Sequence, residues 1–266
     1  MHELPLLLFT LLLQGSVGVT VWLSVLRSRA GTVLPGIILA FVMACIGLLA
    51  SMLHMGYPLN ALNALRHVAS SWLSREVVFA SLYLAVLGLS GFLMILRMPG
   101  GRQLLPLAAL LGVVDVYCMG QIYMHTAVVT WQHINTLFLF YGTAGIVGSV
   151  LITLMALKSR WACLPALAKY SVAVVAMMVL SRLLVQPLWS SAIVEASQQV
   201  VTLPHTPLIR LQQLHTVFLT GWIMSVVGFV CFAVGGLRKI NGALVCGGLL
   251  LLIAEAILRF VFFSIG

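Results

Sequence analysis

Four charged side chains fall inside long apolar runs of this sequence. They are Asp115, Arg182, Glu255 and Arg259. A charge within a membrane is costly and indicates a functional site by default. Two of the four are acidic and two are basic, so they can neutralise one another. Glu255 also precedes Arg259 by four residues, the favourable order for an ion pair on one helix. The four residues predict either an ion-paired contact between helices or a pocket for a polar ligand.

A histidine and a glutamate flank the first long polar connection of the chain. His54 falls in the last turn of one apolar run, and Glu76 falls in the first turn of the next. Ser74 is a plausible N-cap for that second helix. Helix dipoles favour a cationic His54 and an anionic Glu76. Both side chains are therefore candidates for proton transfer, and the alternative for Glu76 is a simple first-turn acid.

The elements that position these residues must be membrane helices. Hydrophobic residues make up 62% of the 266 positions and charged residues 7%, whereas soluble domains carry about 25% charged residues. Continuous apolar runs of about 20 residues predict spanning helices and exclude the alternating pattern of an outer-membrane barrel. We predict an all-α integral membrane protein, with residues 1–266 forming one membrane-embedded domain. Its eight predicted spans are 4–26, 33–53, 77–96, 103–124, 134–157, 164–188, 211–235 and 242–263.

Lysine and arginine are distributed unevenly over the connections between these spans. The odd connections hold nine: Arg27, Arg29, Arg97, Arg102, Lys158, Arg160, Lys169, Arg238 and Lys239. The even connections hold three: Arg66, Arg75 and Arg210. The positive-inside rule places the odd connections in the cytoplasm. Both termini and the even connections are then predicted on the outer, periplasmic side of the membrane.

Every histidine falls on this predicted outer side. This distribution indicates an outer edge of the bundle that transfers protons or binds a metal. The alternative is that histidine is simply well tolerated at a membrane interface. The seven are His2, His54, His67, His125, His133, His205 and His215.

The outer connection 54–76 has apolar residues near helical spacing and predicts a short interfacial helix. The outer connection 189–210 is the longest polar stretch and could dock a partner protein.

Several cofactor and ligand classes are disfavoured by the sequence. The five cysteines form no C-x-x-C pair, so we expect no iron–sulfur cluster, zinc site or covalent haem held by this protein. The histidines lie near one rim rather than deep in facing helices, which disfavours a haem-carrying cytochrome b anchor. The net charge of +9 comes from scattered basic residues, which disfavours nucleic acid as a partner and leaves membrane lipid.

Three segments resemble the membrane-anchor subunit of the bacterial dimethyl sulfoxide reductase family. They are HELPLLLFTLLLQ at 2–14, SMLHMGYPLNALNALRHVASSWLSRE at 51–76 and AEAILRFVFF at 254–263. The resemblance implies an eight-helix anchor in the bacterial inner membrane. It also implies two partners on the periplasmic face, an iron–sulfur electron-transfer subunit and a molybdopterin-containing catalytic subunit.

The same resemblance implies a menaquinol-oxidising site in which His54 and Glu76 are linked to quinol. Oxidation of a quinol releases two protons, each of which needs a base within reach. Arg66, Arg182 and Arg259 are expected to steady the quinone oxygen as negative charge develops. Asp115 and Glu255 are expected to relay protons or to balance the arginines. The electrons would pass to a cluster in the docked iron–sulfur subunit, and the protons would leave outward.

Two other function classes stay open at this stage. A secondary transporter would favour inverted repeats and broken helices near the midplane, and we find no paired interruptions at corresponding positions. A purely structural anchor would use the same spans and charges without any quinol site. Dependence on large hydrophilic partners separates the transporter from the anchor, and a His54 variant separates the quinol site from the structural anchor.

Overall fold

A computed structural model of the protein describes residues 4–28, 33–54, 67–199 and 207–265. These residues form helices and contain no β-strand. In sequence order the helices are α1 (Leu4–Leu26), α2 (Leu34–His54), α3 (Trp72–Ile95), α4 (Leu105–Met124), α5 (Asn135–Lys158), α6 (Leu164–Gln199), α7 (Pro207–Gln213), α8 (His215–Arg238) and α9 (Asn241–Ile265). Within the described ranges, all of them except α7 are long and apolar enough to cross a membrane. The predicted all-α fold with eight spans is confirmed.

Three helices differ from their predicted bounds by more than two residues. The span predicted over 211–235 is α8, which begins at His215 and ends at Arg238, and residues 211–213 belong to α7. Helix α3 begins at Trp72 rather than at residue 77, because the Ser71 hydroxyl caps it. Helix α6 continues to Gln199 rather than stopping at 188. At 36 residues it is about 54 Å long, well beyond the ~30 Å hydrocarbon core. Its extension passes Pro187 and buries Trp189 and Ile193 against the end of α9. Hydropathy predicts only the part of such a helix that lies in lipid.

The connections alternate between two ends of the bundle. At one end, the indole nitrogens of Trp131 and Trp189 donate to Phe262 O and Thr130 O, both at 2.9 Å. The Arg210 guanidinium donates to Ser264 O at the same end. We call this end the rim. At the opposite end, which we call the Arg27 end, the Arg102 guanidinium donates to Arg27 O at 3.1 Å.

Helix α1 is the most buried span and lies against α2, α4, α5 and α9. Its approach to α5 is very close, because a Cβ atom added at Gly18 would collide with the Ala144 carbonyl oxygen and would lie 3.0 Å from Gly148 Cα. Small residues allow such backbone approach in membrane helices. Helix α5 contributes to two buried apolar clusters, one centred on α1 and one shared with α6, α8 and α9. It therefore joins the two halves of the bundle.

Three helices end at the Arg27 end with a basic residue in the left-handed backbone region. The residues are Arg97 after α3, Arg160 after α5 and Lys239 after α8, with φ of 57°, 51° and 60°. Glycine usually occupies this position. A basic side chain there interacts favourably with the negative end of the helix dipole, so the charge bias of this end also serves helix termination.

The predicted interfacial helix in 54–76 lies largely outside the described residues, as does Arg66. Of that connection the structure describes 67–71, a turn that leads into α3. Arg75 holds this turn against the helix by donating to Val68 O at 3.0 Å and to Ala69 O at 2.7 Å. The start of α3, and with it Glu76, is thereby fixed near the rim.

Candidate functional site

Two buried carboxyl groups lie on the adjacent helices α3 and α4. Glu76 is 6% exposed and Asp115 is fully buried. Neither carboxylate oxygen of Asp115 has a hydrogen-bond partner among the described residues. A buried carboxylate without partners is costly. Burial of these two carboxyl groups therefore costs stability, and such costs are common at functional sites.

Glu76 does not occupy the first turn of its helix. Ser71 Oγ accepts from the Ser74 N–H at 3.4 Å, so Ser71 is the N-cap and Ser74 lies inside the helix. The prediction of Ser74 as the cap was wrong, because several serines precede this helix and only the fold selects one. Glu76 therefore lies in the second turn. The helix dipole stabilises charge mainly in the first turn, so the simple first-turn-acid interpretation of Glu76 loses its basis.

Aromatic side chains surround the start of α3, one turn before Glu76. The Trp72 ring lies 5.9 Å from the Tyr117 ring and 5.9 Å from the His125 ring. The Arg75 guanidinium lies 4.2 Å from the Trp72 ring centroid. We call Trp72, Tyr117 and His125 the aromatic wall. Flat aromatic surfaces with a few polar groups are typical of sites for small ring-shaped ligands.

A second polar group, on α1 and α3, was not predicted from the sequence. The Tyr83 hydroxyl lies 2.6 Å from Ser16 Oγ and 2.9 Å from Thr20 Oγ1, and Ser16 also donates to Ala40 O at 2.6 Å. Tyr83 is fully buried, and its hydroxyl interacts electrostatically with Asp115. Only the i,i+4 spacing of Ser16 and Thr20 within an apolar run signals this group in the sequence.

Three of the four predicted intramembrane charges, Arg182, Glu255 and Arg259, form a separate junction between α5, α6 and α9. Arg182 forms an ion pair with Glu255, with its Nη1 donating to Oε1 and its Nη2 donating to Oε2 at 3.0 Å. The Thr143 hydroxyl lies 2.7 Å from Glu255 Oε2. An added Cβ at Gly142 would lie 2.6 Å from Arg182 Nε, so this glycine makes room for the guanidinium. Such two-point arginine–carboxylate contacts are among the stronger polar interactions.

Arg259 lies in the same junction but does not form the predicted ion pair with Glu255. Among the described residues the only ion pair is that of Arg182 and Glu255. Arg259 Nη2 instead donates to Gln14 Oε1 at 2.6 Å and to Thr143 Oγ1 at 2.8 Å. Its Cζ lies 4.3 Å from the Phe140 ring centroid. The junction contains two arginines and one carboxylate, and the helix packing places Arg182 rather than Arg259 in the ion-pairing position. Gln14 was not predicted, although an amide in an apolar run is a visible signal.

Tyr123 of α4 lies beside the arginine junction. Its ring contacts those of Trp131, Phe140, Phe262 and Phe263, and the Arg259 guanidinium lies over the Phe140 ring. The residues predicted as one site are thus in two neighbouring groups. A small cleft of about 30 Å³ lies beside Arg182 and is lined by Gln186 and Trp222.

The histidines of the described residues lie around the rim. His67 and His215 are exposed, and His125 Nδ1 lies 2.9 Å from Gln121 O. His133 Nδ1 accepts from the Asn135 N–H at 3.1 Å, and partial burial lowers the pKa of its imidazole. Helix α2 ends at His54, whose side chain lies outside the described part of the structure. The pairing of His54 with Glu76 therefore stays a prediction.

No cluster of histidine, cysteine or acidic side chains that could hold a metal ion occurs among the residues the structure describes. The groups that converge are instead proton donors, proton acceptors and aromatic rings.

Comparisons with known proteins agree on one family. A family model described as “DMSO reductase anchor subunit (DmsC)” matches residues 1–265. The protein is 28% identical over 279 aligned residues to the C subunit of anaerobic dimethyl sulfoxide reductase from Haemophilus influenzae, and the alignment covers 100% of this protein and 95% of that relative. Two Escherichia coli proteins, the YnfH subunit and the C subunit of anaerobic dimethyl sulfoxide reductases, are 31% and 35% identical. Each of these two alignments covers 56% of this protein and 56% of the relative. No solved structure matches the sequence.

Proposed function

This chain belongs to the family of DMSO reductase anchor subunits, and we propose that it houses the menaquinol-oxidation site of a membrane-bound reductase complex. As such an anchor it belongs with a catalytic subunit and an iron–sulfur subunit. In the proposal, the catalytic subunit carries the molybdopterin group and performs the terminal reduction. The relatives are named for dimethyl sulfoxide, which makes this compound the first substrate to test with the assembled complex.

The observation that carries the proposal is the buried carboxyl pair near the rim. Glu76 and Asp115 lie on adjacent helices, and Asp115 has no hydrogen-bond partner among the described residues. A hydroquinone has two hydroxyl protons to transfer, and each transfer needs an acceptor at hydrogen-bond distance. Glu76 is the first acceptor in the proposal, because it lies on α3 one turn after Trp72 of the aromatic wall.

His54 is the second acceptor in the proposal. Helices α2 and α3 pack together, and the chain reverses between them at the rim. The end of one and the start of the other therefore lie at the same level of the bundle. A histidine and a buried glutamate at this level supply two bases for the two protons. Arg66, on the connection between them, is proposed to steady the quinone oxygen.

The arginine junction contributes less directly to this proposal. Arg182 and Glu255 form an ion pair that ties α6 to α9, which is the role of a structural contact. Arg259 keeps Nε and Nη1 without partners among the described residues, and its guanidinium lies over the Phe140 ring, which contacts the Tyr123 ring. Arg259 is therefore the junction residue that we propose to stabilise negative charge on the quinone.

Partner docking and proton release are both proposed at the rim. The nine-to-three excess of basic residues in the odd connections supports a cytoplasmic Arg27 end, which would turn the rim toward the periplasm of a bacterial inner membrane. At 36 residues, α6 is longer than a span requires and ends at the rim. Its terminal polar segment is a suitable contact for the iron–sulfur subunit. Electrons would then leave directly above the site where the protons are released.

The test compares two routes of electron delivery into the purified complex. His54→Ala and Glu76→Gln should lower menaquinol-dependent reduction by about 10²-fold or more. A viologen-type dye that reduces the partner subunits directly should still support full activity. His215→Ala is the matched control, because His215 is an exposed histidine at the start of α8. If both variants oxidise menaquinol at the normal rate, the protein is a structural anchor and the quinol site lies elsewhere.

A further inference from the structure

A long apolar groove runs between α1 and α6 toward the Arg27 end. It consists of two adjoining clefts with volumes of about 650 and 340 Å³, each partly open to the surroundings. The two clefts share four of their lining residues, which are Trp22 and Val25 of α1 and Val174 and Met177 of α6. We call this feature the α1–α6 groove.

The groove forms because the face of α5 between α1 and α6 carries glycines instead of large side chains. Helices α1 and α6 each pack on α5 and barely touch each other. On that face, Gly148 lies against Gly18 of α1, and Gly145 lies against Met178 of α6. Because glycine has no side chain, α5 forms a recessed floor, and the side chains of α1 and α6 form the two walls of the groove. The deeper cleft is lined by valine, alanine, glycine, methionine, Trp22 and Tyr141, and by no charged side chain of the described residues.

The mouth of the groove is basic. Arg27, Ser28 and Tyr170 line it, and all three are exposed. Arg27 donates from Nη1 to Ser24 O at 2.8 Å and forms no ion pair with a described residue. The Arg102 guanidinium reaches the same place, since it donates to Arg27 O at 3.1 Å. An apolar channel with a cation at its mouth has the pattern of an anionic lipid site.

The length of the groove matches one leaflet of a bilayer. Along α1 it extends from Val17 to Arg27, ten residues or about 15 Å of helix. Half of a ~30 Å hydrocarbon core is the same distance. A lipid with its phosphate at Arg27 would therefore place its chain end near the midplane. A quinol bound at the rim would have its ring at the opposite end of the bundle.

We propose that the α1–α6 groove binds an acyl chain of an anionic phospholipid whose phosphate contacts Arg27. The site is separate from the carboxyl pair and does not depend on the proposed quinol chemistry. Its occupant completes the surface between α1 and α6, two helices that the fold itself does not bring into direct packing.

The test measures phospholipid retained by the detergent-purified complex, using deuterated phosphatidylglycerol and mass spectrometry. Arg27→Gln should lower retention by about fivefold. Ala173→Phe should lower it as well, because Ala173 is exposed on the groove wall and the larger ring fills the groove. The matched controls are Arg238→Gln, an exposed arginine at the Arg27 end, and Ala85→Phe, an exposed alanine on α3. Both controls should retain normal amounts.

A further variant keeps the test decisive if Arg27→Gln does not fold. Ser28→Asp leaves Arg27 in place and adds a negative charge at the mouth, so it should also lower retention. Equal retention by all variants would overturn the proposal. So would equal competition by zwitterionic phosphatidylcholine. Loss of co-purified menaquinone instead of phospholipid from Ala173→Phe would also overturn it, because the occupant would then be the quinol tail.

Discussion

Arg182 of α6 forms an ion pair with Glu255 of α9 in the interior of the bundle, and both side chains are almost fully buried. The pair joins two helices that α7 and α8 separate in sequence. Glu255 and Arg259 lie one turn apart on α9, yet the carboxylate pairs with Arg182. Arg259 is left to hydrogen bonds with Gln14 and Thr143. The junction therefore fixes three helices around a single carboxylate.

Glu255→Gln should destabilise the protein by about 3 kcal/mol, because it leaves Arg182 as a buried charge without its counter-charge. Thermal denaturation of the detergent-purified protein measures the effect. The double variant Arg182→Met with Glu255→Gln should recover most of the loss, since removal of both charges is far less costly than removal of one. A double variant as unstable as the single one would contradict this explanation.

Asp115→Asn should leave the complex assembled and slow menaquinol-dependent turnover by about 10²-fold. The reason is that Asp115 is a buried acid without a hydrogen-bond partner among the described residues, and in the proposal it relays protons, which an amide cannot do. Asp115→Glu, which retains the acid, is the matched variant and should keep more activity. Steady-state rates with menaquinol and with a viologen-type dye separate proton transfer from assembly. Unchanged turnover in Asp115→Asn would restrict Asp115 to a role in charge balance.

Gly18→Val should destabilise the bundle by about 1–3 kcal/mol, because the added atoms overlap the α5 backbone. The close approach to the Ala144 carbonyl oxygen leaves no space for any Cβ. Gly242→Ala is the control, since a Cβ at Gly242 meets nothing within 4 Å. Thermal denaturation of both variants checks the prediction. Equal effects at the two glycines would show that space at α5 is not the determining factor.

Stability should fall below about pH 6.5 in a way that depends partly on His133. Partial burial lowers the pKa of this imidazole from its usual 6.5, so the unfolded protein gains a proton before the folded protein does. The contribution is fully present above about pH 6.5 and is lost as the pH falls toward the lower folded pKa. His133→Asn should therefore flatten the stability profile between about pH 8 and pH 5. Parallel profiles for the variant and the unaltered protein would refute this.

Lys239→Gly should stabilise the turn between α8 and α9 by about 1 kcal/mol, because a non-glycine residue carries that cost in the left-handed region. Lys239 has φ of 60° there. Lys239→Ala keeps the Cβ atom and loses the charge, so it should give no gain. Comparison of the two melting temperatures separates backbone strain from charge. A gain from both substitutions would assign the effect to charge instead.

Much of the architecture is determined by the sequence, because lipid leaves few alternatives. Runs of about 20 apolar residues must be helical, since lipid cannot satisfy their backbone groups. That reasoning predicted α1 and α5 to within a residue at each end. It also identified Asp115, Arg182, Glu255 and Arg259, because a charge in an apolar run is conspicuous. It failed for the end of α6, where Trp189 and Ile193 are held by tertiary contacts beyond the lipid.

Which polar groups meet is decided only by the tertiary structure. The sequence shows two acids and two arginines within spans, and its local spacing favours a Glu255–Arg259 pair. Helix packing instead brings Arg182 to Glu255 and Gln14 to Arg259. Each of these contacts depends on how far a helix is rotated about its axis. The rotation cannot be predicted from the sequence, because residues on all sides of these helices are apolar and show little helical periodicity. Lipid contact therefore fixes that a segment is a helix, whereas close packing at small residues such as Gly18 and Gly142 fixes which face it turns inward.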